Sequence, residues 1–201
     1  EIGANIGYSS ILVSKILEEE EKVYCFEIEP ANFKTLSDNI LLNRLSNIIP
    51  FNIGISSENG VKKLYYNTLF NKDNDYLPQS AMGSHSITFN KKIHKEKIFC
   101  YTYLMDFETV VTTFSLEKPT HIFIDAYGAE IGIIQSILSS KHTSNIEKII
   151  VDIEEKEKLE NTKVYELLIG FGFKLTFNET EYTQDIEKKF IAYHTIFTRK
   201  I

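Results

Sequence analysis

Seven residues, Glu1-Ile2-Gly3-Ala4-Asn5-Ile6-Gly7, constrain the fold of this chain more than any other stretch. An acid opens a turn of small residues, and Tyr8, Ile11, Leu12 and Ile16 follow at helical spacing. The turn is therefore expected between a strand and a helix over 8–17. Glycine is needed where the backbone takes unusual dihedrals or where a Cβ would block a close approach, and Gly3 and Gly7 suit both uses. The first amides of the helix, with the positive end of its dipole behind them, favour a carboxylate or phosphate in the turn. The spacing Gly-x-x-x-Gly lacks the middle glycine of the dinucleotide-binding turn and the Lys-Ser/Thr ending of a P-loop. Alone, the turn is equally compatible with a tight strand-to-helix connection.

A second acid changes the balance. Lys22-Val23-Tyr24-Cys25-Phe26-Glu27 is a short run of strand formers ending in a carboxylate. It lies about twenty residues past the glycines, where nucleotide-binding α/β folds place an acid on the ribose hydroxyls. Pro30 then suits the position ahead of a helix, and Phe33, Leu36 and Ile40 mark one face of a helix reaching Asn43. A strand over 47–53 closes the unit. Strand, glycine turn, helix, strand with acid, helix, strand is half of a doubly wound parallel sheet.

With Ile-Asp-Ala-Tyr-Gly-Ala-Glu at 124–130 added, these motifs resemble the FkbM-type methyltransferases, and the resemblance spans essentially the whole chain. It implies a Rossmann-like class I methyltransferase fold, a mostly parallel doubly wound α/β sheet with an antiparallel C-terminal edge pair, and S-adenosylmethionine as cofactor. By the same resemblance Glu1 matches the acid that holds the methionine ammonium, and Gly3, Asn5 and Gly7 match the turn beside the methionine part. Glu27 matches the ribose acid. Ile28 stands where the family often has a first proline, whereas Pro30 keeps the second. Asn52, near the end of the third strand, is a candidate for the adenine edge or simply a polar strand end.

Composition bounds the remaining classes. The 201 residues, 43% hydrophobic, suit a single α/β domain over 1–201. A net charge of -6, with Lys and Arg scattered among acids, argues against a nucleic-acid partner. No stretch approaches the roughly 20 apolar residues of a membrane span, and no secretory signal precedes the first motif. Cys25 and Cys100 each sit in a β-like apolar run and are expected as buried free thiols. A reducing cytoplasm fits. The chain begins inside a motif without an initiating Met, so it is expected to lack the start of its first strand.

A strand is expected over 61–66. Residues 67–97 show no sustained period and are expected to form an irregular insertion or lid that shapes the acceptor site. Within it 79–86 resembles the family's Gly-x-x-Ser segment. Ser86 is a candidate for facing the pocket, and His85 is a candidate base, the competing reading being an exposed loop histidine. His94 lies in a basic run and has less support. A strand over 98–104 leads to Asp106, with Met105 in place of a family acid.

Next, 120–125 is a buried-strand pattern ending in Asp125. Ligands in such sheets bind beyond the carboxyl ends of the strands, so Asp125 is expected toward the same crevice as Glu1 and Glu27, and it is the first choice for chemistry. Gly128 permits a close turn into a helix over 129–139. Glu130 in its first turn complements the dipole, and in the family context it is also a catalytic candidate. Tyr127 replaces a frequent acid. A strand over 148–153 ending at Glu154 and Glu155, a helix over 159–169 stopped at Gly170-Phe171-Gly172, and a terminal antiparallel pair complete the chain.

Methyl transfer from a sulfonium needs alignment more than covalent help, together with proton removal from an alcohol acceptor, which Asp125 is placed to supply. No metal is assigned. The expected activity is methyl transfer to a hydroxyl of a sugar, glycan or other small metabolite. Transfer to nitrogen and a non-catalytic cofactor-binding or interaction domain remain alternatives, and the missing glycine disfavours a nicotinamide oxidoreductase. The sequence leaves oligomeric state open, a homo-oligomer included.

Overall fold

The computed structural model of the chain describes residues 1–18, 20–65, 69–70, 76–77, 99–155, 158–182 and 191–200. They fall into two compact units, one holding residue 1, 3–54 and 59–104, the other residue 2, 55–58 and 105–201. Among the described residues no helix is long and apolar enough to cross a membrane.

In the first unit α1 (Tyr8–Ser14) follows the glycine turn, then β1 (Val23–Phe26), α2 (Pro30–Leu42) and β2 (Ile48–Phe51). β1 and β2 pair in parallel, Val23 opposite Ile48 and Phe26 opposite Phe51, and α2 is the crossover that parallel neighbours require. Pro30 opens α2 because its missing N–H costs nothing in the first turn, and Glu29 caps the helix by accepting from Asn32 N at 2.6 Å. Leu36 and Ile40 are buried in a cluster with Ala4, Val23, Cys25 and Ile48, as the spacing predicts.

The face of α1 differs from the expected one. Tyr8 is 75% exposed and Ile16, past the end of the helix, 83%, while Ser10 and Ser14 are buried. The Cys25 thiol donates to Ser10 Oγ at 2.9 Å, and the Ser10 hydroxyl donates in turn to the Glu1 carboxylate. These bonds anchor the polar face of the helix to β1. Ile11 and Leu17 supply the apolar part of the contact.

Three further strands, β3 (Gly54–Ile55), β4 (Gly60–Tyr65) and, after the two-residue pair β5 (Leu69–Phe70) and β6 (Tyr76–Leu77), β7 (Phe99–Met105), complete this region. Their sheet has the order β3-β7-β4, and β4 runs antiparallel to β7. Apart from β5 and β6, the expected lid over 67–97, with His85, Ser86 and His94, lies outside the described residues.

The second unit contains α3 (Phe107–Thr113), β8 (His121–Ile124), α4 (Glu130–Ser139), β9 (Lys148–Glu155), α5 (Lys163–Gly170), β10 (Lys174–Tyr182) and β11 (Ile191–Thr198). The sheet order is β10-β11-β9-β8, with β8 parallel to β9 and the last two strands antiparallel, as expected for the C-terminal edge. Alternate residues are buried: Ile122 and Ile124, Ile149, Val151 and Ile153, Tyr193, Thr195 and Phe197. Ile2 adds a parallel bridge to Ile124.

Two boundaries move. β9 continues through Glu154 and Glu155 because Ala192 and Ile191 pair with them. The helix expected over 159–169 is split into a 3-10 turn (Leu159–Asn161) and α5, because the Thr162 hydroxyl accepts from Tyr165 N at 3.2 Å and starts a new helix.

Candidate functional site

The glycine turn winds through three left-handed residues, Gly3 (φ 86°), Asn5 (φ 51°) and Gly7 (φ 87°). Gly3 N and Ala4 N donate to Phe26 O at 2.9 and 3.1 Å, and Gly7 N donates to Ala4 O at 2.8 Å. Gly7 has a second constraint, since a Cβ there would lie 2.4 Å from Leu36 Cδ1. α2 also grips the turn by hydrogen bonding, with Asn39 Nδ2 donating to Ile6 O at 2.8 Å.

Glu27, just past β1, is 6% exposed. Asn5 N donates to its Oε2 at 2.7 Å and Glu29 N to its Oε1 at 2.8 Å, so the carboxylate is held from both sides. Burial raises its pKa above the ordinary value of 4.5, and the nearby Glu29 charge adds to this. The two amides and the Asn32 side chain oppose the rise without cancelling it. Asn52 Nδ2 donates to Glu27 O at 2.8 Å and fixes the backbone behind the carboxylate. Asn52 is thus spatially joined to Glu27.

Glu1 accepts from the hydroxyls of Ser9 and Ser10, so the acid that opens the motif is tied to the first turn of α1. Buried Cys25 behind it has its thiol pushed up to about 11 by burial, which keeps it protonated at neutral pH.

Beside the Glu27 loop an open cavity of about 260 Å3 is lined by Ile28, Pro30 and Asn52 on one side and by Val61, Tyr101, Thr102 and Tyr103 on the other. Gly54 lets Ile28 and Leu104 close behind it, because a Cβ there would sit 2.7 Å from Ile28 Cδ1 and 2.6 Å from Leu104 Cδ2.

In the second unit Asp125 follows β8 and its amide donates to Ile2 O at 3.0 Å; the residue is half-buried. The turn after it passes through Tyr127 (φ 34°) and Gly128 (φ 87°). Both oxygens of Glu130 accept from Gly128 N at 2.9 Å, so this carboxylate closes its own turn. Asp106 caps α3, its two oxygens accepting from Thr109 N and Oγ1 at 2.8 Å.

The sequence reading does not single out Asn32, Asn39 or Glu29. The signal is present nonetheless: Asn32, Leu36 and Asn39 fall at steps of four and three residues, on one face of α2. A polar residue on each side of a buried leucine marks that face as one that grips a backbone as well as a core.

No protein-family model matches the chain, and no curated protein matches it. Three solved structures share its architecture. Precorrin-6y C5,15-methyltransferase from Geobacter metallireducens aligns with 98% of this chain and 77% of its own at a TM-score of 0.50 and 14% identity. Methyltransferase FkbM from Methylobacillus flagellatus aligns with 96% of this chain and 42% of its own, at 0.51 and 11%. Aeropyrum pernix fibrillarin, in complex with natively bound S-adenosyl-L-methionine, aligns with 98% of this chain and 64% of its own, also at 0.51 and 11%. The fold is that of the class I methyltransferases. At these identities the likeness concerns the fold, and the chain spans less than two thirds of the last two proteins.

Proposed function

We propose that this chain is an FkbM-type, S-adenosylmethionine-dependent methyltransferase directed to a hydroxyl oxygen of a sugar, glycan or other small metabolite. The observation that carries the reading is the Glu27 carboxylate. About four lone-pair sites meet two backbone amides and one side-chain amide, which leaves acceptor capacity for a ligand hydroxyl. A buried acid held in this way beside a left-handed glycine turn suits the ribose of a nucleoside cofactor. Fibrillarin of like fold is in complex with S-adenosyl-L-methionine.

The neighbouring residues take complementary roles in this reading. Asn52 bonds Glu27 O with one of its two N–H donors, which orients the amide and leaves Oδ1 for a base edge that carries an amine. Gly3, Asn5 and Gly7 admit the amino-acid part of the cofactor, and Glu1 supplies negative charge for its ammonium. When bound, the cofactor supplies a methyl group already activated by its sulfonium. Asp125 is assigned to the acceptor hydroxyl as proton acceptor, and Glu130 to holding the turn that carries Asp125. His85 is retained as a second candidate base. A cytoplasmic setting goes with the cofactor.

The test is incubation with methyl-labelled S-adenosylmethionine and a panel of sugars and nucleotide sugars, followed by mass analysis. Label in an alkali-stable ether of a sugar is the expected result, with Asp125→Ala slowing turnover and leaving cofactor affinity in place. Label on nitrogen only, or no product with any hydroxylated acceptor, contradicts the assignment.

A further inference from the structure

The cavity beside Glu27 has two walls of different origin. Ile28, Pro30 and Asn52 belong to the segments that follow β1 and β2, whereas Val61, Tyr101 and Tyr103 project from the antiparallel ladder of β4 and β7. On β7 the side chains alternate, Thr102 and Leu104 buried and Phe99, Tyr101 and Tyr103 exposed. The register places Val61 opposite Tyr103, Lys63 opposite Tyr101 and Tyr65 opposite Phe99, so one face of the ladder carries a row of rings.

That row is braced. Phe99 meets Tyr101 edge-to-face with centroids 5.7 Å apart, and Tyr65 meets Phe99 in the same manner at 5.8 Å. Lys63 Nζ lies 4.1 Å from the Phe99 centroid. Contacts of this kind fix ring orientation as well as adding attraction. Tyr101, the cavity-lining ring held in this way, is preorganised for a ligand, because less rotamer freedom remains to be lost on binding.

The chemistry of the walls narrows the ligand. Ile28 and Pro30 are apolar, Tyr101 and Tyr103 stand opposite with Val61, and the polar lining residues are Asn52 and Thr102, of which Asn52 retains an acceptor oxygen. A flat heteroaromatic ring with an exocyclic amine satisfies all three. A sugar ring stacks only its C–H face on a tyrosine and carries no exocyclic ring amine, so a pyranoside is the competing occupant in the test below. The cavity also adjoins the Glu27 loop through the Asn52 bond, so the ring belongs to a nucleoside whose hydroxyls reach Glu27.

We infer that Tyr101 and Tyr103 form the stacking wall of a nucleoside-base site, so that the β4–β7 ladder, and not only the parallel strands, determines which base the protein accepts. This inference rests on the cofactor reading above and assigns specificity within it.

Calorimetry with two probes, S-adenosylhomocysteine and adenosine, tests it on the full chain and on Tyr101→Leu, Tyr103→Leu and Tyr103→Phe. Leucine keeps apolar bulk at an exposed position and removes the flat ring; thermal melts check that each variant is folded. Each Leu variant is expected to weaken both probes by the same factor, about tenfold, with Tyr103→Phe close to wild type. Wild-type affinity in both Leu variants overturns the inference and leaves the methyltransferase reading standing. So does weakening of S-adenosylhomocysteine without adenosine, because the rings would then meet the amino-acid end. Tighter binding of a methyl pyranoside than of adenosine assigns the wall to a sugar and overturns it as well. Failure of the wild type to bind either nucleoside overturns both proposals.

Discussion

The turn at Gly3–Gly7 and the turn at 125–130 use the same parts in opposite ways. Each sets a left-handed glycine and a carboxylate close to the start of a helix. In the first, the carboxylate is Glu27, and one of its donors is Asn5 N, 22 residues away in sequence. In the second, Glu130 accepts from Gly128 N, two residues away. Both carboxylates are buried, but Glu27 ties two segments distant in sequence, whereas Glu130 bonds back into the turn before its own helix. The comparison teaches that a carboxylate bonded to a distant backbone amide reports tertiary structure, which a bond back into its own turn does not.

The glycines should separate the two turns most strongly. Gly7→Ala must take up a left-handed φ and push on Leu36 Cδ1, and Leu36 is fully buried with little room to swing. A loss of about 2–3 kcal/mol in urea unfolding is expected. Gly128→Ala meets no atom within 4 Å and should cost about 1 kcal/mol, from the backbone alone. Equal losses would break the distinction.

The carboxylates come next. Glu27→Gln sets an NH2 group against one of two backbone amides and removes the charge, so affinity for S-adenosylhomocysteine should fall about tenfold or more. Glu130→Gln should leave that affinity unchanged and lower stability by about 1 kcal/mol. A cofactor defect in Glu130→Gln equal to that of Glu27→Gln would erase the contrast.

The smallest effect is the response to pH. Burial raises Glu27, so the folded state holds that proton more tightly than the unfolded chain. Its contribution to stability is present below the ordinary carboxylate value and is lost as pH rises through the raised one. Cofactor affinity should run the other way, weakening as pH falls through the raised value, because ligand hydroxyls bond best to the ionised form. Titration of affinity against pH in wild type and Glu27→Gln checks this; identical profiles would assign the pH response elsewhere.

Where structure followed a single period, it was legible in the residues. α2 could be read from Pro30 and from Phe33, Leu36 and Ile40, because one apolar stripe serves one core. β8, β9 and β11 alternate or run apolar for the same reason. The helix after the glycine turn was legible but the face it buries was not, because that face is made of Ser10 and Ser14, and the partners of Ser10, Glu1 and Cys25, come from other segments. The split at Thr162 and the extension of β9 through Glu155 depend on a cap and on a strand pairing, neither of which a hydrophobic pattern encodes. At the candidate site, Gly7 and Glu27 were visible from residue type and spacing. The grip of Asn39 on Ile6 O left only the spacing of Asn32, Leu36 and Asn39 as its trace, a weak one, since a polar residue inside a helix is ordinarily a solvated one.

The most direct measurement is calorimetry of the wild-type chain with S-adenosylmethionine and, separately, NAD. Saturable binding of S-adenosylmethionine that Glu27→Gln weakens about tenfold, with no heat from NAD, is the predicted result. Binding of NAD alone, or equal affinity for S-adenosylmethionine in wild type and Glu27→Gln, would contradict the account.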